Sequence, residues 1–104
     1  KQNFQDDVLD SEIPVVVDVW SDGCQPCAML VPTIKRLACK YDGRVKVAHV
    51  HAGTAPRTIS ELGIRGTPTV LFFPRGRDPE RVIDVVRQYY FDEIIGRELR
   101  PQSA

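Results

Sequence analysis

The chain has 104 residues, 42% apolar and 27% charged, which suits one folded domain with its own core and excludes a disordered chain. Fourteen Lys plus Arg balance fourteen Asp plus Glu, so no net charge draws it to nucleic acid or an anionic membrane, and no apolar run approaches a membrane span. Three cysteines are too few for a disulfide-built scaffold, and a CxxC pair plus one leftover thiol suits a reducing, cytoplasmic setting.

Phe4 to Asp10 reads as a short helix or turn. Pro14 opens a strand over Val15–Trp20, whose near-continuous valines indicate burial on both faces, as in a central strand of a parallel or mixed sheet. From Cys24 the period changes. Cys27, Leu30, Val31, Ile34, Leu37, Ala38 and Tyr41 recur at three- and four-residue spacing and make one apolar helical stripe. Pro32 lies inside this helix and is expected to kink it; Gly43 marks its stop. Val45–Val50 alternates as a strand, Ala55–Leu62 reads as a short helix closed by Gly63, and Thr69–Phe73 as a third strand. Pro74-Arg75-Gly76 turns into a fourth strand over Arg81–Val86, antiparallel to the third. Phe91, Ile94, Ile95 and Leu99 define a closing amphipathic helix, and residues 100–104 are expected to fray.

This order, β-α-β-α-β-β-α, implies parallel strands joined by crossover helices, then a hairpin and a final helix. It predicts a single three-layer α/β domain over residues 1–104. In such sheets chemistry gathers at the carboxyl end of a strand, where the next helix begins. Cys24-Gln25-Pro26-Cys27 falls there.

Residues three apart on a helix share a face, so Cys24 and Cys27 can reach disulfide geometry. Their sites are unequal. Cys24 at the helix N-terminus meets unpaired N–H groups and the positive end of the macrodipole, which favour a thiolate. Cys27, one turn in on the buried stripe, is expected to keep its proton longer. That asymmetry suits a two-step exchange in which Cys24 attacks a disulfide and Cys27 resolves the mixed disulfide. Pro26 in the first turn needs no hydrogen-bond partner and stiffens the loop. The competing readings are a structural zinc half-site or two incidental core cysteines. Zinc needs about four ligands, and only Cys39, His49 and His51 remain, at no matching spacing, so no metal is expected.

The stretch from Val17-Asp18-Val19-Trp20 through Cys24-Gln25-Pro26-Cys27, then Pro32, Gly63-Ile64-Arg65-Gly66-Thr67-Pro68-Thr69 and Gly76, resembles the thioredoxin family over roughly Phe4 to Leu99. The resemblance implies a thioredoxin-like α/β/α sandwich with a central mixed sheet. It implies a thiol-disulfide oxidoreductase acting on protein disulfides without an organic cofactor, a monomer re-reduced by a thioredoxin reductase. It assigns Asp18 to proton transfer with the resolving cysteine. A lone Asp in a valine strand is costly unless paired or neutral, and burial is expected to raise its pKa. Pro68 matches the family's cis-proline beside the disulfide, Thr67 the backbone that pairs an extended substrate, and Trp20 the tryptophan beside the active site.

The departures bear on partner choice. Gly23 stands where the family usually has tryptophan and Gln25 where it has glycine. Asp84 falls at a groove-lining glycine and places a charge where an extended substrate would lie. His49 occupies the position of a lysine that neighbours the buried aspartate, so a His49–Asp18 pair would titrate together, the alternative being a strand histidine bonded to backbone. His51 shares that strand face and reads as a surface residue. Cys39 reads as a partly buried spare thiol. The family's first strand has no counterpart in Lys1–Asn3, so it either precedes the given chain or is absent. The chain starts at Lys1, which leaves a removed leader open. Two other functions compete with a reductase: a disulfide oxidase or isomerase, and a binding or assembly module whose dithiol is secondary.

Overall fold

In the computed structural model, which describes residues 4–75, 80–83 and 88–99, the valine run forms β1 (Val15–Trp20). β2 (Lys46–His51) pairs parallel to it on one side and β3 (Thr69–Phe73) antiparallel on the other. β4 (Glu80–Ile83) pairs antiparallel with β3, so the four-stranded mixed sheet has the order β2-β1-β3-β4. β4 as described, Glu80–Ile83, covers the first half of the strand expected over Arg81–Val86; the rest of that strand, with Asp84, a predicted site residue, lies outside the described residues.

Among the described residues two helices join strands, α1 (Gln25–Lys40) between β1 and β2 and α2 (Pro56–Glu61) between β2 and β3, and α3 (Gln88–Leu99) follows β4. A π-helical turn over Gln5–Leu9 precedes β1, and a 3-10 turn over Ala52–Thr54 follows β2. Strand alternation sends Val16, Val70 and Phe72 to one face of the sheet. There they meet Leu30, Ile34 and Leu37 of α1 and Phe91, Ile94 and Ile95 of α3. Val15, Val17, Val19, Ala48, Val50 and Leu71 take the other face, with Val8, Ile64 and the edge of α2 at Ile59. Both faces of β1 are therefore buried, which is why its sequence does not alternate. Each fully buried Leu, Ile or Val is worth about 1.5–3 kcal/mol of hydrophobic transfer.

α1 continues through Pro32 to Lys40. Gly43, at φ +83°, then turns the chain, with the N–H groups of Arg44 and Val45 both donating to the Tyr41 carbonyl. The helical stripe is narrower than its spacing predicts. Val31 and Ala38 are exposed and border a groove with Val47 of β2. β2 is the sheet edge on that side, so nothing among the described residues covers the outer flank of α1.

Candidate functional site

The redox pair sits where a strand becomes a helix. β1 ends at Trp20, and Ser21, Asp22 and Gly23 form the connecting loop, with Gly23 at φ +70°. An ordinary side chain is disfavoured at that angle, so glycine sets the turn into the helix. Cys24 is the N-cap residue of α1, extended at φ −88° and ψ 101°. Its Sγ accepts the Cys27 N–H at 3.1 Å. Sulfur thus serves the free helix donor that a serine or aspartate oxygen usually caps. Pro26, in the first turn, has no N–H to satisfy. Cys24 and Cys27 are joined in a disulfide with Cα atoms 5.2 Å apart. Cys24 is half-buried and Gln25 exposed, while Cys27 is only 8% exposed, matching the inequality expected from their places in the helix.

Asp18 lies on the α1 face of the sheet, two residues on from Val16, and is 7% exposed. β1 and β2 pair it in register with His49, whose Nδ1 is 3.2 Å from Asp18 Oδ2. A carboxylate only accepts, so the imidazole hydrogen belongs on Nδ1. The hydrogen bond to Asp18 raises the His49 pKa above the ordinary histidine value, opposed by partial burial of the ring. His49 keeps 56% of its side chain exposed, so the buried carboxylate has a solvent-facing partner. Both residues line the same open groove, of about 1080 Å³, as Cys24 and Cys27. The backbone-bonded alternative for His49 is not what the structure shows.

The Thr67–Pro68 peptide is cis, and Pro68 is buried at the head of β3. Thr67 and Ser21 share a hydroxyl hydrogen bond of 2.6 Å, which brings the 66–68 loop against the loop that carries Cys24. Thr69 donates to the Gly66 carbonyl at 2.7 Å and tightens the turn from the other side. Trp20 is exposed at the end of β1 and lines the dithiol groove.

Two expectations change. His51 is not a surface residue: its side chain is 19% exposed, its ring packs edge-on against Trp20 at 4.4 Å, and its Nε2 is 3.2 Å from Asp22 Oδ2. Period two placed it on the right face, but the parallel register that sets it opposite Trp20 is a tertiary fact. Cys39 is exposed rather than partly buried, because α1 turns it away from the sheet. Ser21 and Asp22 were also missed, having no motif of their own. Among the described residues no group of three metal-ligating side chains gathers, and no helix is long and apolar enough to cross a membrane.

Comparison with known proteins agrees with this geometry. The family model described as Thioredoxin matches residues 1–96. The chain is 40% identical over 84 residues to a thioredoxin of Synechocystis sp., covering 81% of this chain and 78% of that protein. It is 34% identical over 96 residues to thioredoxin 1 of Nostoc sp., covering 92% and 90%. Against the M-type chloroplastic thioredoxin of Spinacia oleracea it is 36% identical over 99 residues, covering 95% of this chain and 55% of the relative. A disulfide at the head of the first long helix, a buried aspartate beside it and a cis-proline loop bonded to the redox loop occur together with this match along the chain: the protein belongs to the thioredoxin family and is a thiol-disulfide oxidoreductase.

Proposed function

We propose that the protein is a protein-disulfide reductase of the reducing cytoplasm, acting as a monomer. The observation that carries this reading is the unequal Cys24–Cys27 pair at the head of α1, with the buried Asp18 in the same groove. In the dithiol form Cys24 attacks one sulfur of a substrate disulfide. A Cys24–substrate bond forms, the substrate S–S bond breaks, and the departing sulfur leaves as thiolate and takes a proton from water. The Cys27 thiol then gives its proton to the Asp18 carboxylate, and its thiolate attacks Cys24 Sγ. The Cys24–Cys27 disulfide closes and the second substrate sulfur departs, two electrons having passed to the substrate. Asp18 then returns its proton to solvent through the open groove it lines with the dithiol, and as a carboxylate again accepts the His49 Nδ1–H.

The Thr67–Pro68 segment, bonded through Thr67 to Ser21 of the redox loop, and Trp20, which lines the dithiol groove, hold the substrate chain in extended form. Gly23, where the family usually carries an aromatic wall, opens the approach to Cys24, and Gln25 puts an exposed polar side chain between the two cysteines in the sequence. Asp84 lies outside the described residues; the family resemblance alone puts its charge at the position of a groove-lining glycine, where it would act on the choice of substrate. A thioredoxin reductase is the proposed electron donor.

Serine variants test the scheme with the oxidised protein's partners. Cys24→Ser is expected to abolish reduction of a protein disulfide. Cys27→Ser is expected to accumulate a mixed disulfide on Cys24, visible as added mass in non-reducing mass spectrometry. Full turnover by Cys24→Ser would reject the assignment, and turnover by Cys27→Ser without any trapped adduct would reject the resolving step.

A further inference from the structure

We infer that His51 is a positioning residue for the docking rim: it holds Asp22, and with it the loop that presents Cys24, against Trp20, and so contributes to recognition of the protein disulfide. The inference rests on the reductase reading, whose dithiol it serves.

The arrangement begins with register. β1 and β2 run parallel, so their last residues, Trp20 and His51, lie side by side. The imidazole meets the indole at a ring separation of 4.4 Å and an interplanar angle of 67°, an edge-to-face contact. Its Nε2 faces Asp22 Oδ2 at 3.2 Å. The carboxylate only accepts, so Nε2 carries the hydrogen, the opposite assignment from His49. The other nitrogen, Nδ1, is buried and has no hydrogen-bond partner. A leucine would fill this place without burying an unpaired nitrogen. What imidazole adds is a polar nitrogen, Nε2, set against the Asp22 carboxylate of the redox loop.

The surroundings make room for that ring. A methyl on Gly53 would stand 3.0 Å from His51 Cε1, so the imidazole would have to give by a few tenths of an ångström. Gly53 therefore lets the 3-10 turn after β2 close over the ring.

The loop has a specific need for such a tether. Asp22 is 87% exposed, so burial does not set its position. Gly23 follows, and a Cβ there would meet nothing within 4 Å, so no side chain packs the stretch just before Cys24. Ser21 is tied to Thr67 on one side. His51 meets the Asp22 carboxylate on the other, and together the Ser21 hydrogen bond and this charge contact brace a loop that glycine leaves loose. A substrate chain lying across Trp20 and this loop meets a preformed rim, and less ordering remains to be done on binding. A small disulfide reaches Cys24 without touching the rim.

The test is a double-mutant cycle read by steady-state kinetics on insulin as the protein disulfide. His51→Leu and Asp22→Ala are each expected to raise KM about fivefold, the size of one polar contact, with a smaller change in kcat. The double variant is expected to match the singles, since both remove one shared interaction. His51→Gln, whose amide can donate from near the same point, is expected to recover most of the lost affinity. An unchanged KM in Asp22→Ala, additive effects of about 25-fold in the double variant, or no rescue by His51→Gln would each overturn the inference. Should His51→Leu not fold, Asp22→Ala and His51→Gln still decide it, because Asp22 is a surface side chain. Failure of the wild-type chain to reduce insulin at all would instead reject the reductase reading, so the two failures are told apart.

Discussion

A single buried carboxylate shows how side chains at this site depend on one another. Asp18 sits in a strand otherwise made of valine, where an unpaired charge would be costly, and His49 across the sheet supplies the partner. The His49 pKa is raised chiefly by that hydrogen bond. A group whose folded-state pKa lies above its unfolded one stabilises the fold fully below the unfolded value, near about 6.5 for histidine, and loses that contribution as pH climbs through the folded value. His49→Gln is therefore expected to cost more stability near about pH 5.5 than near about pH 8.5. His49 is more than half exposed, so solvent screening holds the difference to about 0.2–1 kcal/mol. Urea unfolding of wild type and variant at the two pH values measures it, and an equal loss at both would show that the pair carries no pH-linked stability.

Helix α1 is the arm that carries the dithiol, and it is anchored at the opposite end. The buried Tyr41, its C-cap, donates its hydroxyl to Asp92 Oδ1 of α3 at 2.7 Å. Burial raises the Tyr41 pKa first, and the bond to Asp92 raises it further, so the phenol stays protonated and remains a donor. Lys40 approaches the same Asp92 oxygen at 3.2 Å. Tyr41→Phe leaves the carboxylate with its lysine, so the cost is that of one hydrogen bond, about 0.5–1.5 kcal/mol. A lowered urea midpoint at unchanged slope is the expected result. The bond lies at the far end of α1 from Cys24, so exchange kinetics are expected to stay at the wild-type rate. A loss of exchange with retained stability would mean that α1 transmits strain to the dithiol.

At the scale of the whole molecule, direction of electron flow is a property of the couple. Family membership leads us to expect an equilibrium potential near about −270 mV in glutathione or dithiothreitol buffers, as for thioredoxin-type reductants. A value above about −200 mV would instead make the protein an oxidase or isomerase. Much of the architecture was legible in the chain itself. Continuous apolar runs, alternation and period 3.6 located the four strands and three α-helices seen among the described residues, since burial is written in local spacing. The Cys24–Cys27 switch was legible for the same reason: three residues on a helix are neighbours whatever the rest of the fold does. Other features were not. The stripe of α1 overran because Val31 and Ala38 overhang a sheet edge, and a helix does not record where its sheet stops. Cys39 was misplaced for a similar reason, its exposure depending on the rotation of α1 over the sheet. His51 looked like a surface residue until register set it beside Trp20 and within reach of Asp22. Sequence alone determined the elements, the dithiol and the family, because these depend on residues close together along the chain. Only tertiary structure decided how Asp18 meets His49, Ser21 meets Thr67 and Asp22 meets His51, because each bond joins segments about 30 to 45 residues apart whose pairing depends on strand register and packing.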